Sequence, residues 1–556
     1  MTFSDIEIKK YNFKKDTINK VRDEASIAEF NWAVNWPTIY IINNDKTAYV
    51  GESYKIKNRI EQHLKNKKKQ DLKIINIILD KKANKSYTLD IESSLIRYMS
   101  ADRKFRLQNG NDGLVDYDYF DKEKYHEKFK KVIWPMLKKE GLVKHNLQEI
   151  ENSALFKFSP YTSLSSDQYD IVDEILELFN EQNIRTTGNV IINGGPGTGK
   201  SLLAIYLIKL LSLSDENFED EDVKNQIKHV QQFTNKIGLV VPQGSFRKTL
   251  KEVFKEIDGL KPEMVLSPNE VFNKYYDLLI VDEAHRLRQR KNLSNYGSYD
   301  EINRKHGFDK KTTELDWIIS QSKYQILFYD KGQTVKPTDI SYEYFQEKTD
   351  YSKLNEYRLY SQFRVNAGGD YLNYISKVLS SDQTKKINFR NYDLRLFKSF
   401  KDIYGEIKKR NDEIGMCRIV SGYGWDWKSK KDKSKYDIEI EGIRLIWNST
   451  LYDWINKIDS VDEVGCIHTI QGYDLNYTAV IFGPEISYDK NNNKIKVDKK
   501  KYFDRNGKAG IYDEKRLTNY VKNIYSVLMT RGIKGTYIYA YDKDLHDYLK
   551  QFFDVV

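Results

Sequence analysis

The sequence predicts an α/β protein, with a small α/β domain followed by two lobes that are each built on a doubly wound parallel sheet. Three observations predict this fold class. A glycine-rich turn joins an apolar strand to an apolar helix at residues 190–207, and further short apolar runs alternate with helical periodicity after it. Before it, two β-prone runs flank an Asn/Asp turn at residues 37–51, which is typical of a hairpin.

Length and composition indicate a multi-domain protein that could bind nucleic acid. The chain has 556 residues, 40% of them apolar, and its 91 Lys and Arg residues exceed the 81 acidic residues, for a net charge of +10. Two distant cysteines cannot supply a zinc site or a disulfide framework alone. No apolar stretch approaches the roughly 18 residues of a membrane helix. We therefore expect a cytoplasmic location, nucleic acid as a partner and no membrane association.

The first domain is predicted over residues 1–125, where a hairpin is followed by two helices. Tyr40 and Tyr49 lie in the two strands of the hairpin. In the next helix, Arg59 and His63 are four residues apart and therefore share one face. The second helix, predicted to begin near Leu89, carries Glu92.

These residues resemble the GIY-YIG nuclease family over roughly residues 36–115. Two departures are visible, because Thr38 stands where that family has Gly and the spacer between the two tyrosines is shorter than usual. The resemblance implies a small α/β nuclease fold, with Tyr40 as the base and Tyr49 hydrogen-bonding nearby. The matching positions are Tyr40, Tyr49, Arg59, His63, Glu92 and Asn109.

The residue types also suit phosphodiester hydrolysis on chemical grounds. The reaction needs a metal ligand, a base for water, and positive charge near the phosphate. Glu92 could hold one Mg²⁺ or Mn²⁺, Arg59 could neutralise the phosphate, and His63 or a tyrosine could accept the proton. The open alternative is that this domain only binds DNA, because residues 55–69 contain seven Lys or Arg and one acid.

A helical connector is predicted over residues 126–160 and the first large lobe over residues 161–340. The loop Gly194-Gly195-Pro196-Gly197-Thr198-Gly199-Lys200-Ser201 is the G-x-x-x-x-G-K-S string of a phosphate-binding P-loop. Its backbone N–H groups can converge on a triphosphate, Lys200 can reach the β- and γ-phosphates, and the Ser201 hydroxyl is placed for Mg²⁺. Gln168 favours ATP, because an amide can donate to and accept from adenine at once.

Two further strand ends of this lobe carry candidate catalytic residues. An apolar strand ends in Asp282-Glu283, where Asp282 is the expected second partner of the Mg²⁺ and Glu283 the expected base for water. After another strand, Gln333 could sense the γ-phosphate. The basic run at residues 285–291 could follow a phosphate backbone, although a solvated surface loop is the default interpretation.

The second large lobe is predicted over residues 341–556 and carries three late motifs, at residues 360–364, 465–474 and 525–532. With the P-loop, these motifs resemble superfamily 1 helicases, most closely the bacterial branch related to the helicase domain of Schlafen-group proteins. The resemblance implies two RecA-like lobes around ATP. It further implies that Arg364 and Arg531 reach the γ-phosphate and that Asp474 contacts the ribose.

We interpret the chain as an ATP-dependent translocase or helicase, with DNA as the expected nucleic acid, joined to a metal-dependent endonuclease. By analogy, such a fusion suggests anti-phage defence, restriction or repair. The alternative from a different class is an ATP-gated switch that clamps nucleic acid without unwinding it.

Overall fold

Two compact units make up the part of the chain that the computed structural model describes. One contains the described residues of 1–181, 205–232 and 253–261, and the other those of 182–204, 233–252 and 262–556. The described residues are 6–28, 31–109, 119–162, 164–180, 188–212, 227–228, 230–231, 236–293, 295–333, 336–349, 356–361, 365–367, 369–383, 385–450, 453–470, 473–509 and 511–556.

The first unit contains a five-stranded sheet. Its strands are β1 (Ile6–Asn12), β2 (Thr38–Asn43), β3 (Thr47–Ser53), β4 (Ile74–Asp80) and β5 (Arg106–Leu107). Their order is β1-β4-β2-β3-β5, and all pairs are antiparallel except β3 with β5. β2 and β3 are the predicted hairpin, with Tyr40 opposite Gly51. β1 was not predicted.

Three helices accompany this sheet, namely α1 (Thr17–Ile27), α2 (Ile56–Lys65) and α3 (Lys85–Asp102). Ile56 and Ile60 of α2 are buried, as their helical spacing predicts. α3 begins before the predicted start at Leu89, because the Asn84 side chain caps the helix by accepting from the Tyr87 N–H. α3, which carries Glu92, packs on β2 and β3.

The predicted connector is largely helical. It contains α4 (Lys122–Lys128), a π-helical segment (Phe129–Ile133), α5 (Trp134–Lys139), α6 (Leu147–Asn152) and α7 (Ala154–Lys157), and α8 (Ser166–Asn180) follows.

The second unit contains two parallel sheets, which confirms the predicted α/β class of the two lobes. The first has the order β11-β6-β10-β9-β7-β8, and every neighbouring pair is parallel. The two central strands β9 and β10 are almost completely buried, as expected for strands covered on both faces. The strands of this sheet are β6 (Asn189–Gly194), β7 (Ile237–Val240), β8 (Val265–Leu266), β9 (Tyr276–Val281), β10 (Ser322–Tyr329) and β11 (Glu356–Leu359). The helices in the same stretch of the chain are α9 (Lys200–Leu211), α10 (Gly244–Glu256), α11 (Tyr296–Lys305), α12 (Glu314–Ser320) and α13 (Tyr342–Lys348). Residues 205–211 of α9 and 253–256 of α10 belong to the first unit.

The second parallel sheet has eight strands in the order β14-β15-β16-β13-β17-β20-β12-β21, with β14 and β15 as its one antiparallel pair among the described residues. They are β12 (Asp393–Leu396), β13 (Cys417–Ser421), β14 (Ile438–Ile440), β15 (Ile443–Trp447), β16 (Glu463–Gly465), β17 (Leu475–Phe482), β20 (Gly532–Ala540) and β21 (Asp554–Val555). β18 (Ile486–Asp489) and β19 (Lys494–Val497) form a separate hairpin. The helices are α14 (Gly369–Ser380), α15 (Phe400–Ile414), α16 (Ile467–Ile470), α17 (Arg505–Lys508), α18 (Glu514–Met529) and α19 (Lys543–Leu549).

Within the described ranges, none of these helices combines the length and the apolar character that a bilayer crossing requires.

Candidate functional site

The glycine-rich loop joins the carboxyl end of β6 to the first turn of α9. Gly197 and Gly199 have φ values of 80° and 79°, in the left-handed region that only glycine adopts without strain. A side chain on Gly194 would collide with the Thr198 hydroxyl, which itself donates to the Gly195 carbonyl over 3.0 Å. The loop is therefore tightly wound at the amino end of a helix, where backbone N–H groups are available to an anion.

Lys200 is held over this loop by oxygen atoms. Its Nζ donates to the carbonyls of Gly194 and Gly195 over 2.7 and 2.8 Å and lies 3.4 Å from Oδ2 of Asp330. The side chain is only 5% exposed. Asp330, at the end of β10, was not predicted as a site residue.

Ser201 and Asp282 lie in direct contact, as the motif spacing predicts. The Ser201 hydroxyl donates to Oδ2 of Asp282 over 2.6 Å. Asp282 is fully buried, and burial followed by the charge of Glu283 raises the pKa of the Asp282 carboxyl above its ordinary value. A hydroxyl and a carboxylate side by side are ligands of the kind that Mg²⁺ prefers.

Glu283 adopts a left-handed backbone conformation, with φ of 51°, directly after β9. Nε2 of His285 lies 2.9 Å from its Oε2, and the backbone N–H of Asp330 donates to Nδ1 of the same ring over 3.3 Å. Burial alone would raise the pKa of Glu283. The adjacent imidazole of His285 and the charges of Lys200 and Arg531 outweigh burial and lower that pKa below its ordinary value.

Gln333 and Arg531 complete a connected set of side chains. Nη2 of Arg531 donates to Oε1 of Gln333 over 3.2 Å, and Nε2 of Gln333 donates to Oδ2 of Asp330 over 2.6 Å. Arg531 is fully buried, with its Nε donating to the Val527 carbonyl. Asp330 thus joins Lys200 of the P-loop to the arginine predicted from the second lobe.

Three other residues are predicted to contact the nucleotide. Asp474 is half-buried directly before β17. Gln168 lies at the start of α8 in the first unit, buried, where its Oε1 accepts from the Ser165 N–H. Arg364 lies outside the described residues. The roles of all three stay predictions.

In the first unit, four residues of the predicted nuclease motif lie together, namely Tyr40, Tyr49, Arg59 and His63. The Tyr40 hydroxyl lies 2.7 Å from Nε2 of His63 and 3.3 Å from Nε of Arg59. The rings of Tyr40 and Tyr49 are 6.3 Å apart between centroids, and both tyrosines are buried. A side chain on Gly51 would collide with the Tyr40 hydroxyl, so this glycine allows the tyrosine to reach His63.

Lys69, which the sequence analysis did not select, is part of the same cluster. Its Nζ lies 2.8 Å from Nδ1 of His63 and 3.1 Å from the ring centroid of Tyr49. Burial and the charges of Lys69 and Arg59 lower the pKa of His63 to about 2, so this histidine is neutral at physiological pH.

Glu92 lies on α3, half-buried. Asn109 ties the end of the motif to β3, because its side-chain amide donates to and accepts from the backbone of Val50. Thr38 is buried and donates to the Ser53 carbonyl, so the residue in place of the family's glycine is accommodated at the strand end. Across the described ranges, no three His, Cys, Asp or Glu side chains cluster as they would around a metal ion.

The basic run after Glu283 is buried over residues 285–287 and exposed or half-buried over residues 288–291, so the default interpretation as a solvated loop is wrong for its first part. Arg286 is buried and pairs with Asp339 over 2.8 Å, and Arg288 donates to Glu314 over 2.7 Å. Both arginines are therefore already engaged by carboxylates.

The comparison with protein families matches a stretch of the chain that contains the P-loop and most strands of both parallel sheets. A family model described as Schlafen group 3, DNA/RNA helicase domain, matches residues 187–542. The protein YPL245W of Saccharomyces cerevisiae, described as uncharacterised, is 26% identical over 449 residues, which cover 72% of this chain and 93% of that protein.

Solved helicase structures show a remote likeness. Arterivirus nonstructural protein 10, a helicase, is 11% identical with a TM-score of 0.29, and the match covers 66% of this chain and 63% of that one. The chain thus spans less than two thirds of that protein. The Pif1 helicase from Candida albicans is 9% identical with a TM-score of 0.27, over 68% of this chain and 95% of that one.

Proposed function

Because the chain belongs to the Schlafen group 3 DNA/RNA helicase domain family over residues 187–542, we propose that it is an ATP-dependent translocase or helicase acting on DNA. The observation that carries this proposal is the continuous set of contacts from Lys200 through Asp330 and Gln333 to Arg531. It joins a triphosphate-binding loop to an arginine of the second parallel sheet. We also propose that the domains are separated near residues 125, 160 and 340, as the sequence predicts.

The residues present fit ATP with Mg²⁺. Left-handed glycines wind the loop around the amino end of α9, and the adjacent oxygens of Ser201 and Asp282 offer two hard ligands. Burial raises the pKa of Asp282 because it disfavours the charged carboxylate. A cation bound beside Asp282 would stabilise that charge and offset the effect of burial. When bound, ATP with Mg²⁺ would supply the phosphoanhydride and the charge neutralisation.

The chain's own side chains would then divide the work. Lys200 binds phosphate oxygens, and Glu283, kept ionised by its cationic neighbours, orients a water molecule and accepts its proton. His285 and Arg531 hold Glu283 in this charge state. Arg531, with Arg364 as the second predicted arginine, stabilises charge on the transferred phosphoryl group. Asp474 would contact the ribose and Gln168 the adenine.

The test compares ATP hydrolysis, translocation and strand displacement in the wild type and Lys200→Ala. We expect single strands to stimulate hydrolysis in the wild type, with ATP-dependent displacement that the variant lacks. Stimulated hydrolysis without movement or displacement would instead favour an ATP-gated clamp.

We further propose that the first unit is a metal-dependent endonuclease. This second activity is supported by the contacts of Tyr40 with His63 and Arg59, which gather a hydroxyl, an imidazole and a guanidinium in one cluster. Arg59 would neutralise the scissile phosphate. Glu92 would be the protein's carboxylate ligand for Mg²⁺ or Mn²⁺.

The nuclease test compares DNA cleavage by the wild type, Glu92→Gln and Glu123→Gln with either metal. Glu123 is an exposed acid on α4 and is the matched control. We expect only Glu92→Gln to lose cleavage, with DNA binding retained. Binding without metal-dependent cleavage by the wild type would show that the domain only binds DNA.

A further inference from the structure

The hydrogen bonds around His63 have a defined direction. An ammonium group can only donate, so the Lys69 Nζ that lies 2.8 Å from Nδ1 requires a lone pair on that nitrogen. A neutral imidazole carries one proton, which must then be on Nε2. Nε2 lies 2.7 Å from the Tyr40 oxygen and therefore donates to it.

Lys69 lies over an aromatic ring, in a position that favours its ammonium form. It is the buried lysine of the short helical turn Lys67–Lys69, whereas Lys67 and Lys68 are exposed. Its Nζ lies 3.1 Å from the ring centroid of Tyr49, and an aromatic face attracts a cation most strongly when both are removed from water. A neutral lysine accepting from Nδ1 would lose this attraction.

We propose that Lys69 is a positioning residue that fixes His63 in the Nε2–H tautomer, so that His63 donates to Tyr40 and cannot act as a base toward it. The inference rests on the proposed nuclease function and decides between the two bases that the sequence left open. The Tyr40 oxygen accepts from His63 and, over 3.3 Å, from Arg59. Both hydrogen bonds stabilise the tyrosinate form of Tyr40, so that once its hydroxyl proton has been lost to solvent this oxygen can accept a proton from water.

The tautomer can be measured directly by nitrogen-15 NMR on the full chain labelled at histidine. The chain has eight histidines, and the His63 signals are assigned as those missing from His63→Gln. We expect protonated Nε2 and bare Nδ1 in the wild type between about pH 6 and pH 8. Lys69→Met should populate the other tautomer, whereas Lys69→Arg and the exposed control Lys68→Met should not.

A wild-type His63 protonated on Nδ1 would overturn the assignment, even if Lys69→Met failed to fold. A folded Lys69→Met protein that kept pure Nε2–H would overturn the role of Lys69.

Cleavage provides the second measurement. We expect Lys69→Met to lower kcat about tenfold or more with KM unchanged, and Lys69→Arg to restore part of the loss. Unchanged kcat in a folded, cleaving Lys69→Met protein would overturn the positioning role. A chain that cleaves no DNA but holds His63 as Nε2–H would overturn the proposed nuclease function while supporting the tautomer. A chain that cleaves DNA but holds His63 protonated on Nδ1 would support the proposed nuclease function and overturn the tautomer assignment.

Discussion

Arg531 donates to Gln333 over 3.2 Å, so the arginine predicted to reach the nucleotide from the second lobe contacts the residue predicted to sense it from the first. Because Arg531 also lowers the pKa of Glu283, its removal should impair hydrolysis more than binding. We expect Arg531→Ala to keep nucleotide affinity and lose about 10³-fold in ATP turnover. Titration with a fluorescent nucleotide and a steady-state ATPase assay measure the two effects separately.

The control for this substitution is Arg516→Ala, which removes an exposed arginine of α18. Because Arg531 is fully buried, melting temperatures are needed to show that the variant folds. Loss of nucleotide binding in a folded Arg531→Ala protein would show that the arginine holds the site together rather than acting in hydrolysis.

Lys200 is the second test of the nucleotide site. Its ammonium lies over the P-loop, bonded to the carbonyls of Gly194 and Gly195. We expect Lys200→Ala to abolish ATP hydrolysis, because the substitution removes the cation that would bind the phosphate oxygens. Lys305→Ala, which removes an exposed lysine at the end of α11, should hydrolyse ATP normally. Unchanged turnover in Lys200→Ala would exclude the P-loop assignment.

The contacts that the sequence predicted are those set by strand ends in a parallel sheet. Ser201 follows β6 through the loop and Asp282 follows β9, so their meeting depends only on strands whose carboxyl ends share an edge. Lys69 could not be selected, because three consecutive lysines have the same local pattern whether exposed or buried. The third lysine is buried because it contacts His63 of α2 and Tyr49 of β3, which lie 6 and 20 residues away in the chain. Asp330 was not selected for a related reason, since its contact with Lys200 joins residues 130 positions apart in the chain and has no local sequence signal.

Gly51 tests the geometry of the predicted nuclease cluster. It stands opposite Tyr40 in the hairpin, and a methyl group there would collide with the Tyr40 hydroxyl. We expect Gly51→Ala to displace that hydroxyl from His63, to cost about 1–3 kcal/mol of stability and to remove cleavage. Thermal melting and a cleavage assay measure both effects.

Gly405→Ala is the matched control for the glycine test. Gly405 lies within α15, and an added methyl group would meet no atom within 4 Å. Replacing a helical glycine with alanine should stabilise the protein by up to about 1 kcal/mol. If Gly51→Ala behaved like this control, the close approach of Tyr40 to Gly51 would be of no consequence.

Glu485 is a buried acid of the second unit, and few hydrogen bonds stabilise its charged form. The Tyr525 hydroxyl donates to its Oε1 over 2.6 Å, but Oε2 has no hydrogen-bond partner among the residues that the structure describes. Side chains on Gly422, Gly424 or Gly483 would collide with its carboxylate, so it is closely enclosed by backbone. Burial raises the pKa of Glu485 to about 7, although the Tyr525 hydrogen bond opposes this.

This raised pKa predicts a pH-dependent effect of Glu485→Gln. Between the ordinary pKa of 4.5 and about 7, the folded protein binds more protons at this site than the unfolded chain does. Stability therefore falls as pH rises through this window, by about 3 kcal/mol in total, and is constant at this site above it. Glutamine resembles the protonated acid. The melting temperature of Glu485→Gln should therefore be close to that of the wild type at pH 4.5 and higher than that of the wild type at pH 8. The exposed control Glu123→Gln should show no such change with pH, and an equal shift of Glu485→Gln at both pH values would exclude the buried charge as its cause.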